Sequence, residues 1–287
     1  MDGPTLAVDI GGTKLSVGLV SSDGDLLERR DAPTTGHHDG EGLFVALAAL
    51  LDVVPGGEAA VRCGVGCGGP MAPGGATVSP LNIPGWREFP LRDRIAEHVG
   101  LPTAVDNDAK ALALGEGWRG AAQDVPNFIA LVVSTGVGGG IVLDGRLLDG
   151  RLGNAGHVGH VIVEPDGRAC ACGGRGCLEA EASGLAIQQV TGLEPKDASH
   201  EVRVRSGTLV GRGVASVVQL LDLDLAVVAG SVALGFGEVF FAAAQAELSA
   251  RAGLDFARGA VIRPAGLGSS GPLVGAAAVA RLRLGLS

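Results

Sequence analysis

The sequence predicts an α/β fold built from two similar halves, and two features of its pattern support this prediction. Short apolar runs typical of strands alternate with longer periodic runs typical of helices, as in α/β proteins. In addition, a strand, a glycine-rich turn, a second strand and an Asp-Gly turn begin at Leu6 and begin again at Ile129. This internal repeat predicts two similar domains that face one another across a cleft, each contributing a glycine-rich hairpin.

The first half is predicted to begin with three antiparallel strands. Gly11-Gly12 and Asp23-Gly24 separate three short runs of alternating apolar residues, which is a hairpin signature. Helical periodicity then alternates with short apolar runs, and Gly100 marks the end of one helix. The predicted elements are strands at 6–10, 15–20 and 25–30, a helix at 42–53, a strand at 60–65, a helix at 91–99, a strand at 103–106 and a helix at 108–116.

The second half repeats the strand pattern over residues 129–148 and becomes irregular where histidine and cysteine cluster. The elements predicted after that segment are a helix at 209–221, a buried strand at 225–229, a helix at 235–252 and a final helix at 272–284. We expect a small α/β domain of residues 1–106 plus 272–287 and a large α/β domain of residues 107–271.

The composition argues against several classes of function. The chain has 287 residues, of which 46% are hydrophobic and only 18% are charged, and its net charge is -9. It therefore lacks the basic surface that binds nucleic acid or anionic lipid. No basic stretch precedes the first apolar run, and the longest uncharged stretch, residues 125–143, is broken by Pro126 and four glycines. We expect a cytoplasmic protein with no secretion signal and no transmembrane helix.

The first glycine turn has the chemistry of a phosphate-binding loop. Gly11 and Gly12 allow backbone N–H groups to approach an anion. Thr13 and Lys14 add donors, and the carboxylate of Asp9 can hold hydrated Mg²⁺. The turn is not a Walker loop, because neither a helix nor a Gly-Lys-Ser/Thr motif follows it. The repeat supplies a second glycine turn, and two such turns suit a polyphosphate ligand.

Asp106-Asn107-Asp108 lies where a predicted strand meets a predicted helix. Asp108 falls in the first helical turn, where the helix dipole favours the ionised carboxylate that a general base needs. Aspartate and asparagine are also the residues expected at a helix N-cap. On this evidence alone, the cap is the simpler interpretation of the motif.

One histidine and three cysteines have the donor set and spacing of a structural zinc site. The four residues are His160, Cys170, Cys172 and Cys177. Four ligands leave no open coordination position, so the metal is predicted to order a glycine-rich loop rather than to activate water. His157 lies three residues before His160, and spacing alone leaves open which imidazole binds the metal.

Two other features have ordinary interpretations. Cys63 and Cys67 have no histidine nearby and are read as small buried residues, and an odd total of five cysteines favours a reducing compartment. The segment from Asn82 to Trp86 reads as a turn with one exposed aromatic, although Asn82 could reach a ligand hydroxyl.

Taken in order along the chain, these motifs resemble the ROK family of sugar kinases and sugar-responsive repressors. The resemblance rests on Asp9-x-Gly-Gly-Thr-Lys14, Asn82-x-x-Gly-Trp86, Asn107-Asp108-Ala109, Ser134-Thr-Gly-Val-Gly-Gly-Gly140 and Gly159-His160…Cys170-x-Cys-Gly-x-x-Gly-Cys177-Leu-Glu179. It covers nearly the whole chain. It implies an actin/hexokinase-like fold of two ribonuclease-H-like domains, with a sugar and ATP in the central cleft. It also implies a homodimer.

The resemblance further implies roles for individual residues. Asp108 corresponds to the catalytic base that takes a proton from the sugar hydroxyl at O6. The sugar contacts it implies are Asn82, Asn107, His160 and Glu179, with His160 also serving the zinc ion. Asp9 would organise Mg²⁺, and the implied ATP contacts are Gly11, Gly12, Thr13, Lys14, Thr135, Gly136, Gly138, Gly230 and Ser231.

The chain departs from the family pattern in two places. Glucose-phosphorylating members usually have glutamate where this chain has His157, and His157 with its surroundings is more similar to the branch that phosphorylates N-acetylmannosamine. A neutral imidazole accepts one hydrogen bond and donates one, whereas a carboxylate only accepts. The segment 192–207 is also shorter than the helical insert usual there, which affects the nucleotide site and the dimer surface.

Four alternatives remain at this stage. Glucose or another hexose could be the substrate, and polyphosphate could replace ATP as donor. A sugar-sensing repressor is disfavoured, because we expect no helix-turn-helix ahead of the first strand. A non-catalytic sugar-binding protein is disfavoured because Asp9, Asp108, Thr135 and both glycine turns are present.

Overall fold

The computed structural model describes residues 3–285. The strands are β1 (Thr5–Ile10), β2 (Lys14–Val20), β3 (Leu26–Pro33), β4 (Arg62–Cys67), β5 (Thr103–Asn107), β6 (Phe128–Val133), β7 (Val137–Leu143), β8 (Arg146–Leu147), β9 (Leu225–Ala229) and β10 (Val261–Pro264). The helices are α1 (Gly40–Asp52), α2 (Leu91–Val99), α3 (Asp108–Arg119), α4 (Leu178–Ala182), α5 (Gly184–Thr191), α6 (His200–Leu221), α7 (Ser231–Phe236), α8 (Glu238–Arg251) and α9 (Gly271–Arg283).

The chain divides into two compact units. The first contains the residues up to Gly120, Asp149–Ala155 and the residues from Leu267 onward; the second contains Ala121–Leu148 and Gly156–Gly266. The domain limits predicted from the sequence, 1–106 plus 272–287 and 107–271, stay a prediction. Residues 107–120 and 149–155 pack with the first unit.

The first unit is a five-stranded sheet with helices on both faces. Its strand order is β3-β2-β1-β4-β5, with β1, β2 and β3 antiparallel and β1, β4 and β5 parallel. Side chains alternate along β1: Val8 packs in the core with α1 and α2, whereas Ala7 packs against α9. A Cβ atom on Gly64 would lie 2.0 Å from the carbonyl oxygen of Ala276, so only glycine lets α9 approach β4 this closely.

The second unit repeats this arrangement. Its strand order is β8-β7-β6-β9-β10, with an antiparallel group of β6, β7 and β8 and a parallel group of β6, β9 and β10. The long helix α6 packs against α8 through Gly207 and Gly211, where a Cβ atom would lie 2.3 Å and 2.2 Å from carbonyl oxygens of α8. The duplication and the α/β fold predicted from the sequence are confirmed.

The structure corrects several predicted elements. Helix α6 begins at His200 rather than at residue 209, so the second half of the segment 192–207 forms its first turns. The single helix predicted at 235–252 is two helices, because Gly237 interrupts it with φ 59°. Helices α4 and α5 and strand β10 were not predicted. None of the helices among residues 3–285 is long and apolar enough to cross a membrane.

Candidate active site and metal site

The β1–β2 turn of the first unit is a small loop fixed by its neighbours. The N–H of Gly11 donates to the carbonyl of Lys14 at 3.0 Å, and the Thr34 hydroxyl donates to the carbonyl of Gly11 at 2.8 Å. A Cβ atom on Gly12 would lie 2.8 Å from the Cβ of Asn82. Asn82 therefore lies directly on the predicted phosphate loop. The Lys14 side chain is half exposed, 3.8 Å from Asp31.

Asp9 and Asp108 lie together at one edge of the sheet. In the parallel register, Asp9 pairs with Gly66 and Gly66 pairs with Asp106, so the strands end side by side. A Cβ atom on Gly66 would lie 3.6 Å from the Cα of Asp108 and 3.8 Å from a carboxylate oxygen of Asp9. Burial, and then the negative charge of Asp108, raise the pKa of Asp9 to about 7. Two carboxyl groups this close to one another are a fitting donor set for a divalent cation.

The motif Asp106-Asn107-Asp108 left two roles open, helix N-cap and general base, and at the start of α3 these fall to different residues. Asn107 is the N-cap, and its side-chain oxygen accepts the Ala109 N–H at 3.0 Å. Asp108 is the first helical residue, and one of its carboxylate oxygens accepts the same N–H at 2.8 Å. Because Asn107 caps the helix, the carboxylate of Asp108 is not needed as the N-cap.

The turn that contains Asn82 differs from the sequence prediction in one respect. Trp86 was expected to be exposed, but it is fully buried. Its indole N–H donates to the Gly40 carbonyl at 2.9 Å, and its ring stacks on Phe89 with centroids 4.6 Å apart. Trp86 is therefore an anchor of the turn, and Asn82 is its exposed polar residue.

The β6–β7 turn carries the second glycine loop, in the second unit. The Val137 N–H donates to the Glu179 carboxylate at 2.8 Å, and a Cβ atom on Gly136 would lie 2.7 Å from the same carboxylate oxygen. The Gly184 N–H donates to the Ser134 carbonyl at 2.7 Å. Glu179, expected to contact sugar, thus also holds this loop, which includes Thr135 and Gly138.

The β9–α7 junction lies against the same loop. Gly230 has φ 101°, and a Cβ atom there would lie 2.2 Å from the carbonyl oxygen of Val133, so this close approach requires glycine. The hydroxyl of Ser231 lies 2.9 Å from that of Ser134. The structure thus brings Gly230 and Ser231 next to the glycine loop of the second unit.

The predicted zinc ligands converge within the second unit. The ligand atoms of His160, Cys170, Cys172 and Cys177 all lie within 4.8 Å of one another. The Nδ1 atom of His160 lies 3.7 Å from the sulfur of Cys170, which leaves Nε2 of that ring for another partner. His157 is exposed, and its ring lies 6.0 Å from the His160 ring. The donor set fits a tetrahedral zinc ion, with His160 rather than His157 as the histidine ligand.

An ion-pair cluster that the sequence analysis missed holds residues 160–177, the segment that carries the predicted ligands and is called the metal loop below. The carboxylate of Glu181 is buried and accepts the backbone N–H of Arg168 at 2.6 Å. It also pairs with the guanidinium groups of Arg168 at 2.9 Å and Arg205 at 2.6 Å. No local sequence signal reveals this cluster, because Arg205 comes from α6.

The remaining cysteines are buried, as predicted. Cys63 and Cys67 lie on β4 and are fully inaccessible to solvent. Burial raises the pKa of the Cys63 thiol to about 12, so it stays protonated at neutral pH.

Comparison with known proteins gives three findings. The model of the ROK family matches residues 5–283. An N-acetylmannosamine kinase of Citrobacter koseri is 39% identical over 249 residues, covering 81% of this chain and 85% of that protein. A Thermotoga maritima glucokinase is 34% identical over 268 residues, covering 82% and 84%.

A similar solved structure is a ROK family glucokinase from Streptomyces griseus in complex with glucose and AMPPNP. It is 32% identical, with a TM-score of 0.86, and the match covers 98% of this chain and all of that one. The actin/hexokinase-like fold expected from the sequence is thereby confirmed.

Proposed function

The chain belongs to the ROK family, and from that premise we propose that it transfers the γ-phosphoryl group of ATP to O6 of N-acetylmannosamine. The chain is a sugar kinase, as are its relatives in this family. The observation that carries the proposal is the pair Asp9 and Asp108 at the sheet edge beside the first glycine loop. Phosphoryl transfer needs a base, a cation and phosphate-binding donors close together, and these residues supply them.

Asp108 is the proposed general base. Its carboxylate takes the proton from the sugar hydroxyl as that oxygen bonds to the γ-phosphorus and the bond to the ADP oxygen breaks. Its position at the first residue of α3 supports this role, because the helix dipole stabilises the ionised carboxylate. Asn107 and Asn82 are proposed to bind sugar hydroxyls.

Asp9 and the glycine loops are proposed to bind Mg-ATP. A Mg²⁺ ion held through Asp9 would neutralise charge on the phosphates. In the first unit, the phosphate donors are Gly11, Gly12, Thr13 and Lys14; in the second unit, the nucleotide contacts are Thr135, Gly136, Gly138, Gly230 and Ser231. Backbone N–H groups suit this task because they are fixed in position before the anion arrives.

The metal site is proposed to hold zinc and to place two sugar-binding residues. Cys177 immediately precedes α4, which carries Glu179, so the metal fixes the start of this helix. His160 is proposed to bind zinc through Nδ1 and a sugar hydroxyl through Nε2. The ion supplies rigidity here and no chemical step.

The choice of N-acetylmannosamine depends on His157. This exposed imidazole can donate a hydrogen bond, which an acetamido carbonyl at C2 accepts and which a carboxylate in the same place cannot offer. The similarity to N-acetylmannosamine kinases supports the same choice. The second candidate is glucose, because glucokinases of the same family are also close relatives.

A coupled ADP-release assay tests the proposal. Mg-ATP or polyphosphate is supplied as donor with N-acetylmannosamine, glucose, mannose, N-acetylglucosamine or fructose as acceptor. We expect the highest kcat/KM with ATP and N-acetylmannosamine, and a loss of about 10² to 10⁴ in kcat for Asp108→Asn. His157→Glu should shift the ratio of kcat/KM values towards glucose. A preference of the wild type for glucose would reject the sugar assignment but not the kinase activity.

We further propose that the protein acts as a cytoplasmic homodimer without a nucleic-acid partner. The net charge of -9 supports the last point, because a phosphate backbone would be repelled. Light scattering after size-exclusion chromatography tests the subunit number, and a monomer mass would reject the dimer.

A further inference from the structure

Four charged residues of the first unit form a partly buried cluster that the proposed reaction does not use. They are Asp106 at the end of β5, Lys110 on α3, Asp149 and Arg283 on α9. The Lys110 side chain is only 1% exposed. Its ammonium group donates to the Asp149 carboxylate at 2.7 Å and to the Gly153 carbonyl at 2.9 Å, and it lies 3.7 Å from Asp106.

Arg283 completes the cluster from the C-terminal helix. Its Nε and Nη2 atoms donate to the Asp106 carboxylate at 3.1 Å and 2.5 Å, and its Nη1 atom donates to Asp149 at 2.7 Å. Hydrogen bonds from Arg283, and then from Lys110, hold the pKa of Asp149 well below its usual range. The charges of the two carboxylates and the two cationic side chains balance, so the loss of either cation would leave a buried negative charge without compensation.

Two members of the cluster, Asp106 and Lys110, flank the residue proposed as the base along the chain. The other oxygen of Asp106 accepts the Asn107 N–H at 2.8 Å, and Asn107 in turn caps α3. Lys110 lies two residues after Asp108 on the same helix. The strand end before Asp108 and the helical turn after it are therefore both held by side chains that meet in one cluster.

We propose that Lys110 and Arg283 are positioning residues that hold the β5–α3 junction so that the Asp108 carboxylate meets the sugar hydroxyl. The inference rests on the proposed function, in which Asp108 is the base. Neither residue touches the substrate in this scheme. They act by fixing the backbone on both sides of Asp108, and small displacements of a catalytic group reduce rates strongly.

A mutant cycle with Asp108 tests the inference. Lys110→Met and Arg283→Met are made in the wild type and in the Asp108→Asn variant, and Arg283→Lys is the conservative variant. Arg94→Met is the matched control, because it removes an ion pair with Glu41 in the same unit, from elements outside this junction. The values of kcat and of KM for sugar and Mg-ATP are measured at a temperature where circular dichroism shows every variant folded.

In the wild-type background, we expect Lys110→Met and Arg283→Met to lower kcat by about 10-fold to 100-fold, with both KM values changed less than about twofold. Arg283→Lys should recover much of this loss, and Arg94→Met should change kcat less than about twofold. In the Asp108→Asn background, the same substitutions should have no further effect on kcat, because they act through the carboxylate that is already absent.

Several results would overturn the inference. Equal losses in both backgrounds would identify a general structural role, and unchanged kcat in the wild-type background would exclude positioning. If Lys110→Met does not fold, Arg283→Met carries the same comparison in both backgrounds, with Arg283→Lys as its conservative control. An active Asp108→Asn variant would reject the base and this inference, while the kinase activity would stand. A wild type inactive with every sugar would reject the proposed function itself.

Discussion

Replacing Asp9 by asparagine should stabilise the protein in a strongly pH-dependent way. The pKa of Asp9 rises from 3.8 to about 7, because burial and then the charge of Asp108 disfavour its ionised form. The folded protein therefore binds this proton more tightly than the unfolded chain does. The contribution of Asp9 to stability is fully present below its ordinary pKa, and it is lost as the pH rises through about 7.

The expected size follows from the shift in pKa. A shift of about three pKa units corresponds to at most about 4 kcal/mol, and partial access of water reduces this to about 2 kcal/mol. Asparagine does not titrate, so Asp9→Asn should be more stable than the wild type by about 2 kcal/mol at pH 8. The difference should shrink towards zero near pH 4.

Urea unfolding of both proteins between pH 4 and pH 8, in buffer without magnesium, measures this difference. Asp31→Asn is the matched control on β3. Burial raises the pKa of Asp31, but hydrogen bonds from Ser16 and Arg29 outweigh that effect and leave it below its usual value. Its removal should therefore reduce stability at neutral pH, with the opposite sign. A stability difference for Asp9→Asn that does not change with pH would refute the argument.

Three further predictions concern the second unit. Metal analysis should find about one zinc ion per chain, because three cysteines and one histidine complete a four-coordinate site, and Cys170→Ser should lose this ion. Protein purified without stoichiometric zinc would contradict the site. Glu181→Gln should weaken zinc affinity by about 10-fold to 100-fold in competition with a chelator. The substitution removes the carboxylate charge that pairs Arg168 of the metal loop and Arg205 of α6 with Glu181. An unchanged affinity would show that the loop is ordered without Glu181. Gly136→Ala should lower kcat/KM by about tenfold or more, because the added Cβ would lie 2.7 Å from the Glu179 carboxylate. Gly235→Ala is the control, because a Cβ atom there would have nothing within 4 Å. Equal effects of the two substitutions would exclude a steric cause.

The elements that the sequence predicted well have strong local signals. Helix α2 and strand β9 match their predicted limits, because a glycine ends the helix and an uninterrupted apolar run marks the strand. The start of α6 was missed because residues 200–205 carry mostly polar side chains, and one of these, Arg205, pairs with Glu181 on α4. Strand β10 has four residues, too few to show a periodic pattern.

The same distinction applies to the candidate site. The metal ligands lie within 18 residues of sequence, from His160 to Cys177, so their spacing alone predicts that they converge. The contact between Glu179 and the Val137 N–H, and the meeting of Arg283 with Asp106, join residues far apart in the chain. Their geometry depends on how helices pack on the sheets, and no local pattern encodes it.

The two copies of the repeat carry different side chains at equivalent strand positions. Asp9 on β1 and Val132 on β6 are equivalent in topology, since they pair with Gly66 on β4 and Ala229 on β9 respectively. The acidic group that suits a cation is thus present in the first unit and replaced by an apolar side chain in the second. Both units have a glycine loop, and the loop of the second unit is held by Glu179 next to the metal site. Burial, and then the charge of Asp108, raise the pKa of Asp9 and destabilise the fold at neutral pH. Because the acidic pair is confined to one copy, this cost is limited to the unit that carries the proposed base.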